Sequence, residues 1–351
     1  MAVGSLPYNN IDQAMSIVKE NFSTIPYWPQ LAKINKNEDM IFQYTENLPS
    51  FFYDEENNKI YLETESKEFF ENLETFFVDY EEIILGNDEL LNKYGISSDY
   101  ACAFESFIEI VGQTKPDYAK GQIVGPFTLA TSLNDKNGKC AIYDETLKEI
   151  IIKTLSLKAL WQIKRIKQAN PQATPIIFID EPSISQLGTS AFLTISPKEV
   201  VEMFREISDL IKNNGGLSAI HCCGKCDWTT PINAGISIVN LDAYSYAQNL
   251  SVFNKQVEKY LLNGGKIAWG VVPTLDKNAL EKADLDEMIS VFKKGVKYLT
   301  QKGIDEKIII DNSLITPSCG AGGLSEELAC KAMKLTRQLS VALKEIYSID
   351  S

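Results

Sequence analysis

Short apolar runs rich in isoleucine and valine alternate, in the second half of the chain, with longer segments whose apolar residues recur at helical spacing. This alternation is typical of βα units on a parallel sheet. The five predicted strands span residues 175–180, 217–221, 236–242, 266–272 and 307–311. The clearest predicted helices span residues 197–213, 285–301 and 325–347.

The first half of the chain is less regular. Residues 2–5 and 121–124 are predicted to be strands, and residues 40–44 supply one more. Residues 51–63 predict an inserted β-hairpin, because a turn-like segment at 54–58 separates two aromatic or β-branched runs. Eight parallel strands surrounded by helices form a TIM barrel. We therefore predict an α/β fold of the TIM-barrel type, with a hairpin in its N-terminal third, as a single domain over residues 1–351.

Composition narrows the class of protein. The chain has 351 residues, 34 Lys and Arg against 47 Asp and Glu, and a net charge of −13. This balance argues against a nucleic-acid partner or an anionic membrane surface. Seven cysteines beside one histidine do not form a disulfide framework in a chain this long. With no signal peptide and no long apolar stretch, we predict a cytoplasmic protein with no membrane partner.

Chemically competent side chains fall at the ends of the predicted strands, where the active site of a TIM barrel lies. His221, Cys223, Asp242 and Cys319 offer imidazole, thiolate and carboxylate groups, which are the ligands that zinc prefers. His221 and Cys223 share strand parity, so both can point to one side. Only a closed barrel would bring the distant Cys319 near them. The pattern predicts a zinc site.

Other interpretations of the same residues stay open. Cysteines are often just buried, small apolar residues. Cys223 and Cys226 form a C-x-x-C pair, which is found in redox dithiols and in half of a structural zinc site. Asp180 and Glu181 end the most apolar strand. Paired carboxylates there suit the binding of an ammonium group or acid–base catalysis, although the same residues could form a plain surface turn.

Taken in order, these residues resemble a known family. Gly4-Ser5-Leu6-Pro7, Ile179-Asp180-Glu181-Pro182, His221-x-Cys223, Asp242 and Ser318-Cys319-Gly320 resemble the catalytic barrel of cobalamin-independent methionine synthase. The pattern is also similar to the zinc methyltransferases of methanogens, which methylate coenzyme M from a corrinoid. Both belong to a TIM-barrel superfamily with uroporphyrinogen decarboxylase. The resemblance extends over essentially the whole chain.

The resemblance implies roles for individual residues. His221, Cys223 and Cys319 would bind zinc, with Asp242 as a fourth ligand where the synthase has a glutamate. Ser5 and Asp180 match positions that hold the amino-acid end of homocysteine. Glu181 is expected to assist in substrate binding as the second carboxylate of the pair, and not on the strength of the resemblance. Asp180 is also the expected catalytic carboxylate. The sequence lacks counterparts of the synthase's folate-binding N-terminal half, of its His-Gly-Glu element and of its further histidine.

The single histidine bears on the methyl donor. A methylfolate needs a general acid at its leaving nitrogen, whereas a Co(I) corrinoid leaves without protonation. Because the only histidine is assigned to zinc, we expect methyl transfer from a methylcorrinoid on a separate carrier protein to a small thiol such as homocysteine. The alternatives are a coenzyme M-type acceptor, a decarboxylase without catalytic zinc, and a non-catalytic protein with a structural zinc.

Overall fold

The main sheet of the protein is parallel and curls into half a barrel. The computed structural model describes residues 1–54 and 59–348. Its strands are β1 (Phe51–Asp54), β2 (Lys59–Leu62), β3 (Tyr118–Val124), β4 (Thr174–Asp180), β5 (Leu217–Cys222), β6 (Ile238–Asp242), β7 (Lys266–Val272) and β8 (Ser313–Pro317). Strands β3 to β8 pair in chain order, each parallel to the next.

Helices connect and flank these strands. They are α1 (Ile11–Asn21), α2 (Lys67–Ile84), α3 (Asp88–Leu91), α4 (Phe104–Thr114), α5 (Pro126–Ser132), α6 (Glu145–Ala169), α7 (Pro197–Asn213), α8 (Thr229–Asn233), α9 (Ala243–Leu250), α10 (Asn254–Leu262), α11 (Lys277–Lys282), α12 (Leu285–Thr300), α13 (Glu306–Asp311) and α14 (Glu326–Ile346). Within the described residues, none of these helices has the length and apolar character needed to cross a membrane.

Most of the predicted elements of the second half are confirmed. Strands β4 to β7 lie where the isoleucine- and valine-rich runs predicted them. Helix α7 begins at Pro197 because Ser196 accepts a hydrogen bond from the backbone NH of Glu199. Helix α14 begins in the same way after Ser325. The inserted hairpin is also confirmed as the antiparallel pair β1 and β2, although residues 55–58 of its predicted turn lie outside the described residues.

Two of the predicted strands are helical in the structure. Residues 307–311 belong to α13, because the side chain of Asp305 accepts from the backbone NH groups of Lys307 and Ile308 and starts a helix there. The strand follows it as β8. Residues 40–44 include a 3-10 helix, Phe42–Tyr44, and form no strand.

The N-terminal residues lie alongside the open edges of the sheet. Ser5 forms a parallel bridge with Gln30, and Tyr27 forms another with Lys120 of β3. At the opposite edge the backbone nitrogen of Met1 donates to the carbonyl oxygen of Ile315 in β8, at 3.0 Å. These segments form single bridges and not regular strands, so the eight-stranded barrel stays a prediction.

The inner face of the sheet changes from apolar to polar along the strands. A small apolar cluster lines it, formed by Ile176, Phe178, Ala219, Ile238 and Ala268. Residues two apart on a strand face the same side. The next inward positions are therefore Asp180 on β4, His221 on β5 and Asn240 on β6. Polar chemistry is concentrated at the carboxyl ends of the strands, above an apolar floor.

Candidate metal centre

Three side chains that can ligate a metal meet where β5 and β8 end. His221 is on β5, Cys223 follows its last residue, and Cys319 lies two residues beyond β8. One ligand atom from each of the three lies within 4.8 Å of the other two. The backbone of Cys319 is fixed by Thr274, whose hydroxyl accepts from the Cys319 NH at 3.0 Å and donates to its carbonyl oxygen at 2.9 Å. The structure thus joins residues that are far apart in the sequence.

The imidazole of His221 is oriented by a residue that the sequence analysis did not single out. Nδ1 of His221 lies 2.7 Å from Oδ1 of Asn240. The Asn240 amide nitrogen donates to the carbonyl oxygen of Ala268 and to Oγ1 of Thr316, each at 2.8 Å. Nε2 of His221 is buried without a hydrogen-bond partner. This nitrogen is therefore the free ligand atom of the ring. Strand parity was the available signal, since Asn240 is two residues before Asp242.

The cysteines of the cluster share a negative charge. A hydrogen bond from the Cys319 thiol and the interaction with His221 lower the pKa of Cys223 to about 4. The same hydrogen bond raises the pKa of Cys319, and burial adds to the effect. Burial alone would lower the pKa of His221, but the interaction with Cys223 and the charge of Asp180 raise it above its usual value. An anionic sulfur beside an unpartnered imidazole nitrogen and a second thiol suits a thiophilic divalent cation such as zinc.

Asp242 lies at the edge of this cluster. Its Oδ1 accepts from the backbone NH of Ser245 at 2.9 Å and begins helix α9. Burial raises the pKa of Asp242, and the charges of Cys223 and His221 also influence it. Its oxygens are not among the atoms that lie within 4.8 Å of one another. The role of Asp242 as a fourth metal ligand stays a prediction.

A cavity of about 420 Å³ opens beside the three ligand residues. Ser5 and Asp180 both line it, so the structure brings these two predicted substrate-binding residues to the ligand cluster. Oδ1 of Asp180 is buried and accepts no hydrogen bond. Burial raises the pKa of Asp180, while the nearby ammonium group of Lys120 opposes that shift. Oγ of Ser5 accepts from the backbone NH of Gly322 at 3.2 Å.

Glu181 is turned away from the cavity. Its carboxylate accepts from the hydroxyl of Thr128 and from the backbone NH of Phe127, at the start of helix α5. A β-carbon on Gly125 would lie 1.9 Å from Oε2 of Glu181, so the absence of a side chain at Gly125 admits this carboxylate. Burial raises the pKa of Glu181 to about 8. The predicted contact between Glu181 and substrate has no support in this geometry.

The cysteines pair differently from the C-x-x-C interpretation. Cys226 interacts with Cys222 and not with Cys223: its thiol donates to Cys222, lowering the pKa of Cys222 and raising its own above the usual value, to which burial contributes most. All seven cysteines are free thiols. Cys223 and Cys226 therefore do not act as one dithiol unit in this structure.

Comparison with known proteins gives one informative relative. A methionine synthase from Methanocaldococcus jannaschii is 27% identical over 220 residues. The match covers 61% of this chain and 62% of the relative, so it spans less than two thirds of that protein. No protein-family model matches the sequence. The chain is thus a distant homologue of methionine synthase over this region.

Proposed function

We propose that this protein is a zinc-dependent methyltransferase that moves a methyl group from a methylcorrinoid to a small thiol, with homocysteine as the first candidate. The observation that carries the proposal is the cluster of His221, Cys223 and Cys319 beside a substrate-sized cavity at the carboxyl ends of parallel strands. The distant homology to methionine synthase supports the same reaction class. The protein works in the cytoplasm.

The donor set of the site fits zinc. Two sulfur atoms and one unpartnered imidazole nitrogen are available, and Asp242 lies next to them. Three protein ligands with a position left for substrate are typical of catalytic zinc sites. When bound, zinc supplies Lewis acidity, which lowers the pKa of a nearby acceptor thiol and keeps it a thiolate at neutral pH.

The protein's own residues bind and orient the acceptor. Asp180 lines the cavity with a carboxylate whose buried Oδ1 has no hydrogen-bond partner, and this acidic group suits the ammonium group of an amino-acid thiol. We count Asp180 as the catalytic carboxylate in the sense that it contacts substrate. Ser5, held by Gly322, offers its hydroxyl hydrogen to the carboxylate of the same substrate. Together they place the substrate sulfur toward the metal ligands.

The donor proposal rests on the missing general acid. His221 is the only histidine in the chain, and it belongs to the ligand cluster. A corrinoid leaving group requires no protonation, so the site needs no further acid for it. The corrinoid is presented by a separate carrier protein that docks over the cavity. A decarboxylase is disfavoured because Asp180, Glu38 and Asp39 line the cavity with Lys33 as the one cationic side chain among the described lining residues.

The closure of the sheet belongs to the proposal. The bridges of Ser5 with Gln30 and of Tyr27 with Lys120 extend the sheet beyond β3. The bond from Met1 to Ile315 links those residues to β8. Residues 1–351 then form a single eight-stranded barrel, which brings Ser5 and Cys319 to the same cavity.

The test is a methyl-transfer assay on the zinc-loaded protein. Homocysteine and coenzyme M are offered in parallel with free methylcobalamin or with methyltetrahydrofolate, and the methylated thiol is measured by mass spectrometry. We expect product from methylcobalamin with homocysteine, and less with Asp180→Asn. Turnover with methyltetrahydrofolate alone would overturn the donor assignment. Faster methylation of coenzyme M would replace the acceptor, and no transfer from either donor would overturn the reaction class.

A further inference from the structure

We propose that Asn240 is a positioning residue of the candidate metal centre, and that it couples the position of His221 to that of Cys319. It fixes the tautomer and the ring plane of His221, and it ties that ring to the strand that leads to Cys319. This inference rests on the metal centre of the proposed function. It adds a residue that touches neither the cavity nor the cation.

The orientation of the Asn240 amide follows from its neighbours. Its Nδ2 lies 2.8 Å from the carbonyl oxygen of Ala268 and 2.8 Å from Oγ1 of Thr316. A carbonyl oxygen can only accept, so the reversed amide would put two acceptors against each other. Both amide hydrogens are therefore used on this side. Oδ1 of Asn240 is the atom that faces His221, and it can only accept.

This acceptor decides which nitrogen of His221 is free. Nδ1, 2.7 Å from Oδ1 of Asn240, must carry the hydrogen. The neutral ring then has its lone pair on Nε2, which is buried without a partner on the side of the two cysteines. Ligating histidines commonly donate their other ring NH in this way, and the bond sets both the tautomer and the ring orientation.

The bonds of Asn240 cross four neighbouring strands. Asn240 is on β6 and pairs in register with His221 on β5 and with Ala268 on β7. Thr316 is on β8, three residues before Cys319. The side chain thus spans the floor of the site, from the strand that carries His221 to the strand that leads to Cys319. A shift of β8 would therefore move the Asn240 amide and, with it, the imidazole of His221.

The experiment measures zinc affinity by chelator competition, and the visible absorption of the Co(II)-substituted protein. Asn240→Leu keeps the shape and removes the acceptor, so we expect about 10- to 100-fold weaker zinc binding and shifted Co(II) bands. Asn240→Asp keeps the oxygen that accepts from His221 but sets its second oxygen against the carbonyl oxygen of Ala268, so we expect it to recover only part of the affinity. Thr316→Val removes one anchor of the amide and should give an intermediate loss. Ser218→Ala is the matched control, because it removes a buried hydroxyl from the far end of β5.

Each outcome tests a different part of the proposal. If Asn240→Leu does not fold, Thr316→Val carries the test, and unchanged affinity in that variant overturns the coupling. Wild-type affinity in a folded Asn240→Leu overturns the positioning role. If the wild-type protein itself does not bind zinc, the metal centre of the proposed function fails together with this inference. Binding by wild type with no effect in the variants refutes the inference alone.

Discussion

Replacing Cys319 by alanine should weaken zinc binding strongly, whereas replacing Cys226 should not. Cys319 belongs to the group whose ligand atoms lie within 4.8 Å of one another, and Cys226 does not. Each variant loses one sulfur atom, and neither substitution breaks a disulfide, because both cysteines are free thiols. The pair therefore separates loss of a ligand from loss of packing.

The expected size of the effect follows from the number of ligands. Zinc binding in small four-ligand sites amounts to about 10–16 kcal/mol at neutral pH. Divided among four ligands, one is associated with roughly 2.5–4 kcal/mol, which is about two to three powers of ten in affinity. The Cys319→Ala change also removes the thiol that donates to Cys223, so the anionic charge of Cys223 becomes less stable. Cys226→Ala should leave the affinity close to that of wild type.

Metal content is measured by elemental analysis after gel filtration, and affinity by competition with a chromophoric chelator. Thermal unfolding of the metal-free proteins shows whether the two variants lose similar stability. A Cys319→Ala protein that binds zinc as tightly as wild type would refute the three-residue ligand set. Zinc loss in Cys226→Ala, with metal retained in Cys319→Ala, would favour the C-x-x-C interpretation instead.

Three further predictions use the surroundings of the site. Gly125→Ala should lower the free energy of unfolding by about 1–3 kcal/mol in chemical denaturation, since the new methyl group would overlap the carboxylate of Glu181. Gly112→Ala is the control: at this helical position the nearest neighbouring atom would be 3.9 Å from the new methyl group, so the substitution should be neutral or stabilising. Because burial raises the pKa of Glu181 to about 8, the folded state holds a proton that the unfolded state has released above about pH 4.5, so the stability contributed by this group is lost as pH rises through 8. The free energy of unfolding of Glu181→Gln should therefore rise relative to that of wild type by roughly 1 kcal/mol for each pH unit between about pH 4.5 and pH 8. A difference that does not change with pH would contradict this. Asp180→Asn should raise KM for homocysteine about tenfold or more with zinc content unchanged, and it should not affect an acceptor thiol that lacks the amino group.

The sequence predicted the parallel strands well, because a strand that is buried on both faces has a continuous run of apolar residues. The same rule caused the error at residues 307–311. A run of five apolar or charged residues does not distinguish a strand from one buried helical turn, and the signal that decides it, the capping side chain of Asp305, precedes the run. The N-terminal residues could not be assigned from pattern, because they join the sheet by single bridges whose partners lie far along the chain.

The candidate site was predicted to the level of residue type but not to the level of direction. Asp180 and Glu181 are adjacent and looked alike, yet strand alternation sends them to opposite sides. Asp180 faces the cavity, and Glu181 faces helix α5. The sequence shows that side chains alternate between the two faces of a strand, but it does not show which of them face inward. The packing of the whole sheet decides that. The pairing of Cys222 with Cys226 escaped prediction because it depends on the course of the loop after β5.

The two inward polar residues of β6 divide the tasks around the ligand cluster. The side-chain amide of Asn240 donates to Ala268 on β7 and to Thr316 on β8, and its oxygen accepts from the imidazole of His221. Asp242, two residues on, accepts from the backbone NH of Ser245 at the start of helix α9, and the Ser245 side chain also hydrogen-bonds to this carboxylate. The oxygens of Asp242 also lie outside the group of ligand atoms that are within 4.8 Å of one another. We therefore expect Asp242→Asn to weaken zinc binding less than Cys319→Ala, and equal losses would make Asp242 a full ligand.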